Sequence, residues 1–329
     1  MNRRDVVKAI AVLGAASPAA LVCADPERLI NSAAAPRHAD DAALDTIETI
    51  VNHAKIQDDL LGPNAAIGTI LSQARLTDSL LIDISPRLRD RALTLRCHIG
   101  VSAGWQCFDL GHHDAAAAHF TLAREAADEA SAHGGAAMAM AEWSWGAGAI
   151  AATALAADLA AAAESRAASV SDARLRAHTA AIAGVALARI GNTAGAHAAL
   201  TRAAMPDIDP VAGPAESIAY FCTPAHIARL RGEALRNTGD LTGAIGAANE
   251  SIALRSHRDS AEAHLLLGTL HLDADNVDAA VDAFLTAIES AAHSPRLADQ
   301  LRIAVTSAAK RVPSSSAAQL LNERLDRLG

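Results

Sequence analysis

Residues 104–123 read GWQCFDLGHHDAAAAHFTLA, and this stretch decides the fold of the chain. It predicts two helices joined by a tight turn, because a glycine followed by polar residues interrupts two runs of helix-forming residues. Small residues at Gly104 and Ala116 allow the helices to cross closely, while Phe120 and Ala123 close the far end of the crossing. The stretch therefore predicts a helical hairpin.

The same pattern recurs from three later anchors, Gly184, Gly232 and Gly268. Each of these glycines is followed by four residues at the same sequence distances as in the first unit. They are a turn residue, a small residue, a residue of variable size and a closing small residue. These are Gly191, Ala196, Leu200 and Ala203; then Gly239, Ala244, Ala248 and Ser251; then Asp275, Ala280, Phe284 and Ala287. Such recurrence is typical of tetratricopeptide-like repeats. We predict an all-α solenoid of tetratricopeptide-like helical hairpins, wound as a right-handed superhelix.

Two intervals between the anchors are irregular. The interval from Gly104 to Gly184 leaves room for one further unit near residues 143–170, whose register is hidden by an alanine-rich run. The interval from Gly184 to Gly232 holds four prolines and predicts an insertion, which ends where Thr223 caps a helix that begins at Pro224. A similar Ser294-Pro295 pair predicts the start of a late helix, and the final helices are expected to cap the stack.

The N-terminal part is interpreted separately from the repeats. Residues 1–40 are predicted to form a leader helix and a linker, and residues 41–329 the repeat domain. Arg3-Arg4 followed by an apolar run is similar to a twin-arginine export signal. Two alternatives follow: a cytoplasmic protein whose first helix docks on the repeats, which we favour, or a protein exported through a signal at residues 1–24.

The composition and the motifs constrain the function. The chain has 329 residues, 51% hydrophobic and only 2% aromatic, with a net charge of −9 that argues against a general nucleic-acid-binding surface. The cysteines Cys23, Cys97, Cys107 and Cys222 lack metal-binding spacing and are predicted to be reduced and buried. No phosphate loop, metalloprotease motif or hydrolase motif is present. We predict no catalytic residue, no cofactor and no metal.

Residues 103–111, with Ala116 and Phe120, resemble the C-terminal tetratricopeptide-like region of actinobacterial regulators that begin with a Cro/C1-type helix-turn-helix. Three further stretches are also similar to that family: Leu61-Gly62-Pro63, Ala219-Tyr220-Phe221 and Ser294-Pro295-Arg296. The resemblance implies a regulatory protein, and the family's Arg-Arg-Asp segment resembles Arg3-Arg4-Asp5, which favours the cytoplasm. Residues 1–40 are too few for a helix-turn-helix with its linker. The chain is therefore a stand-alone sensor or scaffold, or the sensor portion of a regulator whose true start lies upstream.

Stacked hairpins bind partners on the concave face, which the first helix of each pair lines. Arg229, Arg236 and Asn237 share one helix face, which suits clamping a carboxylate or a peptide backbone, although a solvated charged face is the alternative. Trp105 and Phe108 stack on a ligand or pack the hairpin core. The predicted ligand-binding residues are Trp105, Asp109, Arg189, His226, Arg229, Glu233, Arg236 and Asn237.

The sequence thus predicts a non-enzymatic regulatory binding module. Its expected partner is a peptide or protein segment, or a small signalling molecule, held in the concave groove. Direct nucleic-acid binding and membrane binding are not expected, and a homodimer is left open.

Overall fold

The computed structural model describes residues 26–204, 213–254, 261–290 and 294–311, together with residues 320, 321, 323 and 324. Over these ranges the chain folds entirely into helices and turns, without a strand. None of the helices in the described ranges has both the length and the apolar character that crossing a membrane requires. The predicted all-α class is confirmed.

A short 3-10 helix, Pro36–His38, separates the first two of the helices. In chain order the helices are α1 (Pro26–Ala34), α2 (Asp41–Leu61), α3 (Pro63–Leu81), α4 (Pro86–Asp109), α5 (His113–Glu129), α6 (His133–Ala149), α7 (Thr153–Ala167), α8 (Ala173–Arg189), α9 (Thr193–Arg202), α10 (Pro224–Thr238), α11 (Leu241–Leu254), α12 (Ala261–Asp273), α13 (Val277–Ser290) and α14 (Pro295–Arg311).

The predicted glycine anchors lie at helix crossings. A Cβ atom added to Gly104 would lie 2.5 Å from Cε1 of Phe120, and one added to Gly268 would lie 2.5 Å from Cε1 of Phe284. The corresponding distance from Gly184 to Cδ2 of Leu200 is 2.9 Å. In each of these three hairpins the large residue of the second helix fills the space that the glycine leaves open. The tetratricopeptide-like solenoid of hairpins is therefore confirmed.

The α10–α11 hairpin, which contains Gly232, fills the space beside its glycine in a different way. It has Ala248 where its neighbours have a large residue, so the second helix leaves space beside Gly232. Leu266 of the following helix α12 fills that space, with its Cδ2 atom 3.0 Å from the position of an added Cβ. The close approach at this crossing therefore involves the next repeat as well.

The turn between the helices of each hairpin has one residue in the left-handed region. The predicted turn residues Gly111, Gly191 and Gly239 have φ values of 81°, 79° and 86°. Asp275, which replaces glycine in the fourth unit, has a φ of 58°. Asp adopts this region more readily than most residues with a side chain, which explains why this turn forms without glycine.

The further unit predicted near residues 143–170, whose register the sequence left open, is the α6–α7 hairpin. Its crossing residue is Ser144, whose Oγ donates a hydrogen bond of 2.7 Å to the carbonyl oxygen of Ala156. Its turn residue is Ala151, with a φ of 61°. The second helix has Ala160 at the position of Phe120 in the first unit, so neither its anchor nor its large residue matches the glycine pattern.

The N-terminal region differs in part from the expectation. Within the stretch interpreted as a linker, residues 26–34 form helix α1, and Leu29 is fully buried against α2 and α3. This apolar contact explains why the segment is ordered as a helix. The twin-arginine segment and the leader at residues 1–24 lie outside the described residues, and the boundary at residue 41 stays a prediction.

Candidate functional site

A cavity of about 600 Å³ lies along the face formed by the first helices of successive hairpins. Its walls come from α2, α4, α6, α8, α10 and α12, from the last residue of α11, Leu254, and from the segment 218–223 that precedes α10. The wall has a large apolar component, formed by Trp105, Met138, Trp145, Ile182 and Phe221, among others. Large size, aromatic walls and a few polar groups are the usual properties of a ligand pocket.

The segment 217–223, called the strap below, connects both sides of the cavity. Ser217 Oγ donates a hydrogen bond of 2.6 Å to Oδ2 of Asp172, the residue that caps α8. Tyr220 Oη donates one of 2.8 Å to Oδ2 of Asp59 near the end of α2. Burial and the Asp59 charge raise the pKa of the Tyr220 hydroxyl, so it remains a donor at neutral pH.

The end of the strap is fixed by the start of α10. Thr223 Oγ1 accepts a hydrogen bond of 3.2 Å from the backbone N–H of His226, which confirms the predicted cap. Phe221 packs edge-on against the ring of His178 at 5.3 Å and against that of His226 at 5.5 Å. These contacts hold an aromatic side chain against the cavity wall.

A buried polar pair lies in the same wall. His178 Nε2 is 2.9 Å from Oε1 of Glu142, and both side chains are buried. Within the described ranges the other ring nitrogen of His178, Nδ1, is buried without a hydrogen-bond partner. The pair therefore leaves one buried imidazole nitrogen without a hydrogen bond in the described part of the chain.

A second polar group is built around Arg229, which is 5% exposed. Its Nη1 donates to Oε1 of Glu233 at 2.8 Å, and its Nε lies 3.1 Å from Oε2 of Glu262. Its guanidinium lies 5.2 Å from the centre of the Trp145 ring, and that of Arg189 lies 5.3 Å from the same ring. Cation–π contacts of this kind hold the indole in place.

Helix α2 contributes one basic and two acidic side chains to the cavity lining, Lys55, Asp58 and Asp59. Burial lowers the pKa of the Lys55 ammonium to about 8, against the opposing charges of Glu48 and Asp59. Burial also raises the pKa of the Asp58 carboxyl to about 7, and the charge of Asp59 adds to the rise. Both groups are three positions apart and belong to one face of α2.

The structure brings part of the predicted site together. Trp105, His226 and Arg229 line the cavity, and Arg189 and Glu233 adjoin it through Trp145 and Arg229. Phe108, for which core packing and ligand stacking were both open, is 2% exposed and belongs to the core. The first helices of the hairpins therefore do form a common face.

The remaining predicted residues have partners outside the cavity lining. Arg236 Nε is 2.5 Å from Oδ2 of Asp273, and Asn237 donates to the carbonyl oxygen of Glu233, one turn earlier, at 2.8 Å. Asp109 accepts hydrogen bonds from Ser294 and Arg296. Ligand binding by these three residues stays a prediction without support from their positions.

Sequence reasoning missed several cavity residues. Lys55 and Asp58 lie in the α2–α3 hairpin, which has no glycine anchor, and Glu142 lies in the alanine-rich α6–α7 hairpin. The available signal for Glu142 was a single carboxylate in the apolar run of α6, three positions before Trp145. Tyr220 belongs to a stretch that resembles the regulator family, but the sequence does not predict it as a site residue.

The thiols of the described residues are not activated. Cys97, Cys107 and Cys222 are buried and form no disulfide with one another, and burial raises the pKa of the Cys97 and Cys222 thiols to about 12. They are therefore protonated at neutral pH. In the described ranges, no group of three or more His, Cys, Asp or Glu side chains has the arrangement of a metal site.

No protein-family model matches the chain, and no curated protein is significantly similar to it. Among solved structures, a Rap protein complexed with competence and sporulation factor is 14% identical, with a TM-score of 0.49 over 98% of each chain. The apo quorum sensor NprR from B. thuringiensis is 14% identical, with a TM-score of 0.49 over 86% of this chain and 81% of its own. A thermophilic TPR protein from Thermus thermophilus is 18% identical, with a TM-score of 0.44 over 64% of this chain and 99% of its own.

Proposed function

We propose that this chain is a non-enzymatic regulatory binding module that holds a peptide, a protein segment or a small signalling molecule. The observation that carries the proposal is the cavity of about 600 Å³ along the first helices of the hairpins. Pockets for small ligands have volumes of roughly 300–1,000 Å³, and are mainly apolar with a few convergent polar groups. This cavity has that volume and that mixture of groups.

The chemistry of the wall supports binding rather than catalysis. The Glu142–His178 pair resembles the base of a hydrolytic site, which requires a hydroxyl or thiol hydrogen-bonded to the imidazole. In the described part of the chain, Nδ1 of His178 has no such partner. Cys222 is protonated at neutral pH because burial raises its thiol pKa to about 12.

A peptide-display selection on the intact chain tests the proposal. A random dodecapeptide library is selected against the wild type, in parallel with a small-molecule library that includes organic acids and amides. Binding is followed by tryptophan fluorescence, which is informative because two of the three tryptophans, Trp105 and Trp145, line the cavity. We expect ligands from at least one library that change this fluorescence.

Two matched variants place the binding in the cavity. Ser102→Phe adds a ring to a residue that lines the cavity, whereas Ser165→Phe adds the same ring to an exposed position on α7. Ligands should bind the Ser165 variant like the wild type and should lose at least about tenfold in affinity for the Ser102 variant. If neither library yields a ligand that the Ser102 variant excludes, the proposal is wrong.

A further inference from the structure

Several charged side chains around the cavity have a polar partner inside the protein. Glu142 faces His178 at 2.9 Å, and Arg229 lies 3.1 Å from Glu262. Lys55 is different. It lines the cavity and is only 8% exposed, yet its ammonium makes no hydrogen bond and no ion pair with any residue in the described ranges.

The surroundings of Lys55 supply no direct counter-charge. Glu48 and Asp59 on its own helix act on it through space without contact, and Asp59 accepts the hydrogen bond of Tyr220. Cys97 and His98 face it from α4. Both are uncharged at neutral pH, because burial raises the pKa of the Cys97 thiol to about 12 and lowers that of the His98 imidazole to about 3.

A largely buried ammonium without a partner is energetically unfavourable, because it has lost most of its hydration and gained no hydrogen bond in return. A carboxylate that enters the cavity would provide that bond. Charge-assisted hydrogen bonds between ammonium and carboxylate groups are about twice as strong as neutral ones. The position of Lys55 in the wall of a ligand-sized cavity therefore favours a ligand that brings its own negative charge.

The other charges in the wall limit the size of that negative charge. Asp58, Asp59, Glu142 and Glu262 also line the cavity. These carboxyl groups repel any anion, and they repel a doubly charged phosphate about twice as strongly as a single carboxylate, which also gains one close attraction to Lys55. The wall thus discriminates in favour of a singly charged anion on an apolar body.

We infer that the cavity binds the carboxylate of an otherwise apolar ligand, with Lys55 as its anchor and the aromatic and aliphatic wall around the rest. This inference rests on the proposed function. The carboxylate of a peptide C-terminus, of an acidic side chain and of a small organic acid share this chemistry. Lys55 is a binding residue that sequence spacing alone did not identify.

The test uses octanoate and octanamide, which share a chain length and differ in the negative charge. Their affinities for the wild type, Lys55→Met and Lys55→Arg are measured by titration calorimetry. We expect octanoate to bind the wild type about tenfold more tightly than octanamide, and this preference to disappear in the methionine variant and persist in the arginine variant. A second pair, N-acetyl-Phe-Leu as free acid and as amide, tests a peptide C-terminus as the source.

A direct readout at Lys55 does not depend on affinity. The chain has three lysines, Lys8, Lys55 and Lys310, so reductive ¹³C-methylation gives few signals, and the Lys55→Arg variant assigns the one of interest. Octanoate should raise the pKa of Lys55 from its low value in the free protein, because a bound anion favours the charged form. Octanamide should not, and the exposed Lys310 should respond to neither.

The outcomes separate the two proposals. If octanamide binds as tightly as octanoate, or octanoate leaves the Lys55 pKa unchanged, the carboxylate anchor is overturned. The proposed function then survives only if octanamide or a selected peptide still changes the Trp105 and Trp145 fluorescence and is excluded by Ser102→Phe. If the Ser102→Phe variant binds every tested ligand as tightly as the wild type does, both proposals fail.

Discussion

Arg296 joins helix α14 to the middle of the chain, because its Nε lies 2.9 Å from Oδ1 of Asp109 at the end of α4. Its Nη2 lies 2.6 Å from Oε1 of Glu262, whose other oxygen faces Arg229. The guanidinium also lies over the Trp105 ring, 5.6 Å from its centre. A series of ion pairs thus connects the last long helix to the wall of the cavity.

Replacing Arg296 with methionine should strongly destabilise the protein. The side chain is 10% exposed and its partner Asp109 is 8% exposed, so the variant leaves a buried carboxylate without its cation. Breaking a buried pair in this way costs about 3–5 kcal/mol. Urea unfolding, followed by far-ultraviolet circular dichroism, measures the loss.

The matched control is Arg302→Met, further along the same helix α14. Arg302 pairs with Asp299 at 2.7 Å, but both side chains are well exposed. Surface pairs contribute about 0–1 kcal/mol, so this variant should unfold close to the wild type. Equal losses in the two variants would show that α14 is not held by the Asp109 contact.

A second prediction concerns the hairpin crossings. Gly104→Ala should destabilise the protein, because its new methyl group would lie 2.5 Å from Phe120, and overpacking costs about 1–3 kcal/mol. Gly68→Ala, also inside a helix, meets no atom within 4 Å and should stabilise by up to about 1 kcal/mol through helix propensity. The two changes in unfolding free energy should therefore have opposite signs. The same sign in both would contradict the crossing at Gly104.

The crossings could be predicted from the sequence because they depend on local size. Close helix approach requires a very small side chain at Gly104, and the large Phe120 must follow at a fixed distance along the second helix. In the α6–α7 hairpin other residues replace the glycines, and the sequence pattern therefore did not predict where its helices cross. Ser144 and Ala151 perform the roles of two glycines, and nothing in their spacing distinguishes them within an alanine-rich run.

The site was less predictable because its members come from distant parts of the chain. The distance between Tyr220 and Asp59 is decided by how the repeats curve, which no single helix specifies. A similar dependence explains Asp109, which was placed on the binding face and in fact pairs with Arg296, 187 positions later. Helical periodicity identifies the face of a residue but not the partner that reaches it.

A third prediction separates two arginines that share a helix face. Arg229→Ala should reduce stability by about 2–3 kcal/mol, because it removes the buried cation between Glu233 and Glu262, and should also weaken ligand binding. Arg236→Ala removes an exposed pair with Asp273 and should change stability by less than about 1 kcal/mol. Calorimetry with a display-selected peptide measures the affinities. A loss of affinity in the Arg236 variant alone would contradict the position of the cavity.

A fourth prediction concerns the strap. Tyr220→Phe removes the hydrogen bond to Asp59 while keeping the ring, and a hydrogen bond to a charged group is worth about 1.5–3 kcal/mol before solvent exposure is considered. Asp59 is exposed, so a smaller loss is expected. Amide hydrogen exchange should accelerate in residues 217–223 and remain unchanged in the α12–α13 hairpin. Unchanged exchange in the strap would show that this hydrogen bond does not hold it.

The fifth prediction is that the proposed binding residue lowers the stability of the protein. An unfolded chain has a lysine pKa of about 10.4, whereas burial lowers that of Lys55 to about 8. Between these values the unfolded state binds more protons than the folded state, so the stability of the wild type should rise with pH over this window. Below pH 8 the full cost of the buried charge is present.

Lys55→Met should therefore be more stable than the wild type at pH 7, by about 2–3 kcal/mol, with the advantage shrinking as the pH approaches about 10. Of the groups facing Lys55, the Cys97 thiol and the His98 imidazole have pKa values of about 12 and about 3 and do not titrate in this window, while Glu48 and Asp59 are the facing carboxylates. Lys310→Met, at an exposed position, should show no such pH dependence. A methionine variant less stable than the wild type at pH 7 would mean that the ammonium has a partner within the protein, and Lys55 would then have no charge to offer a ligand.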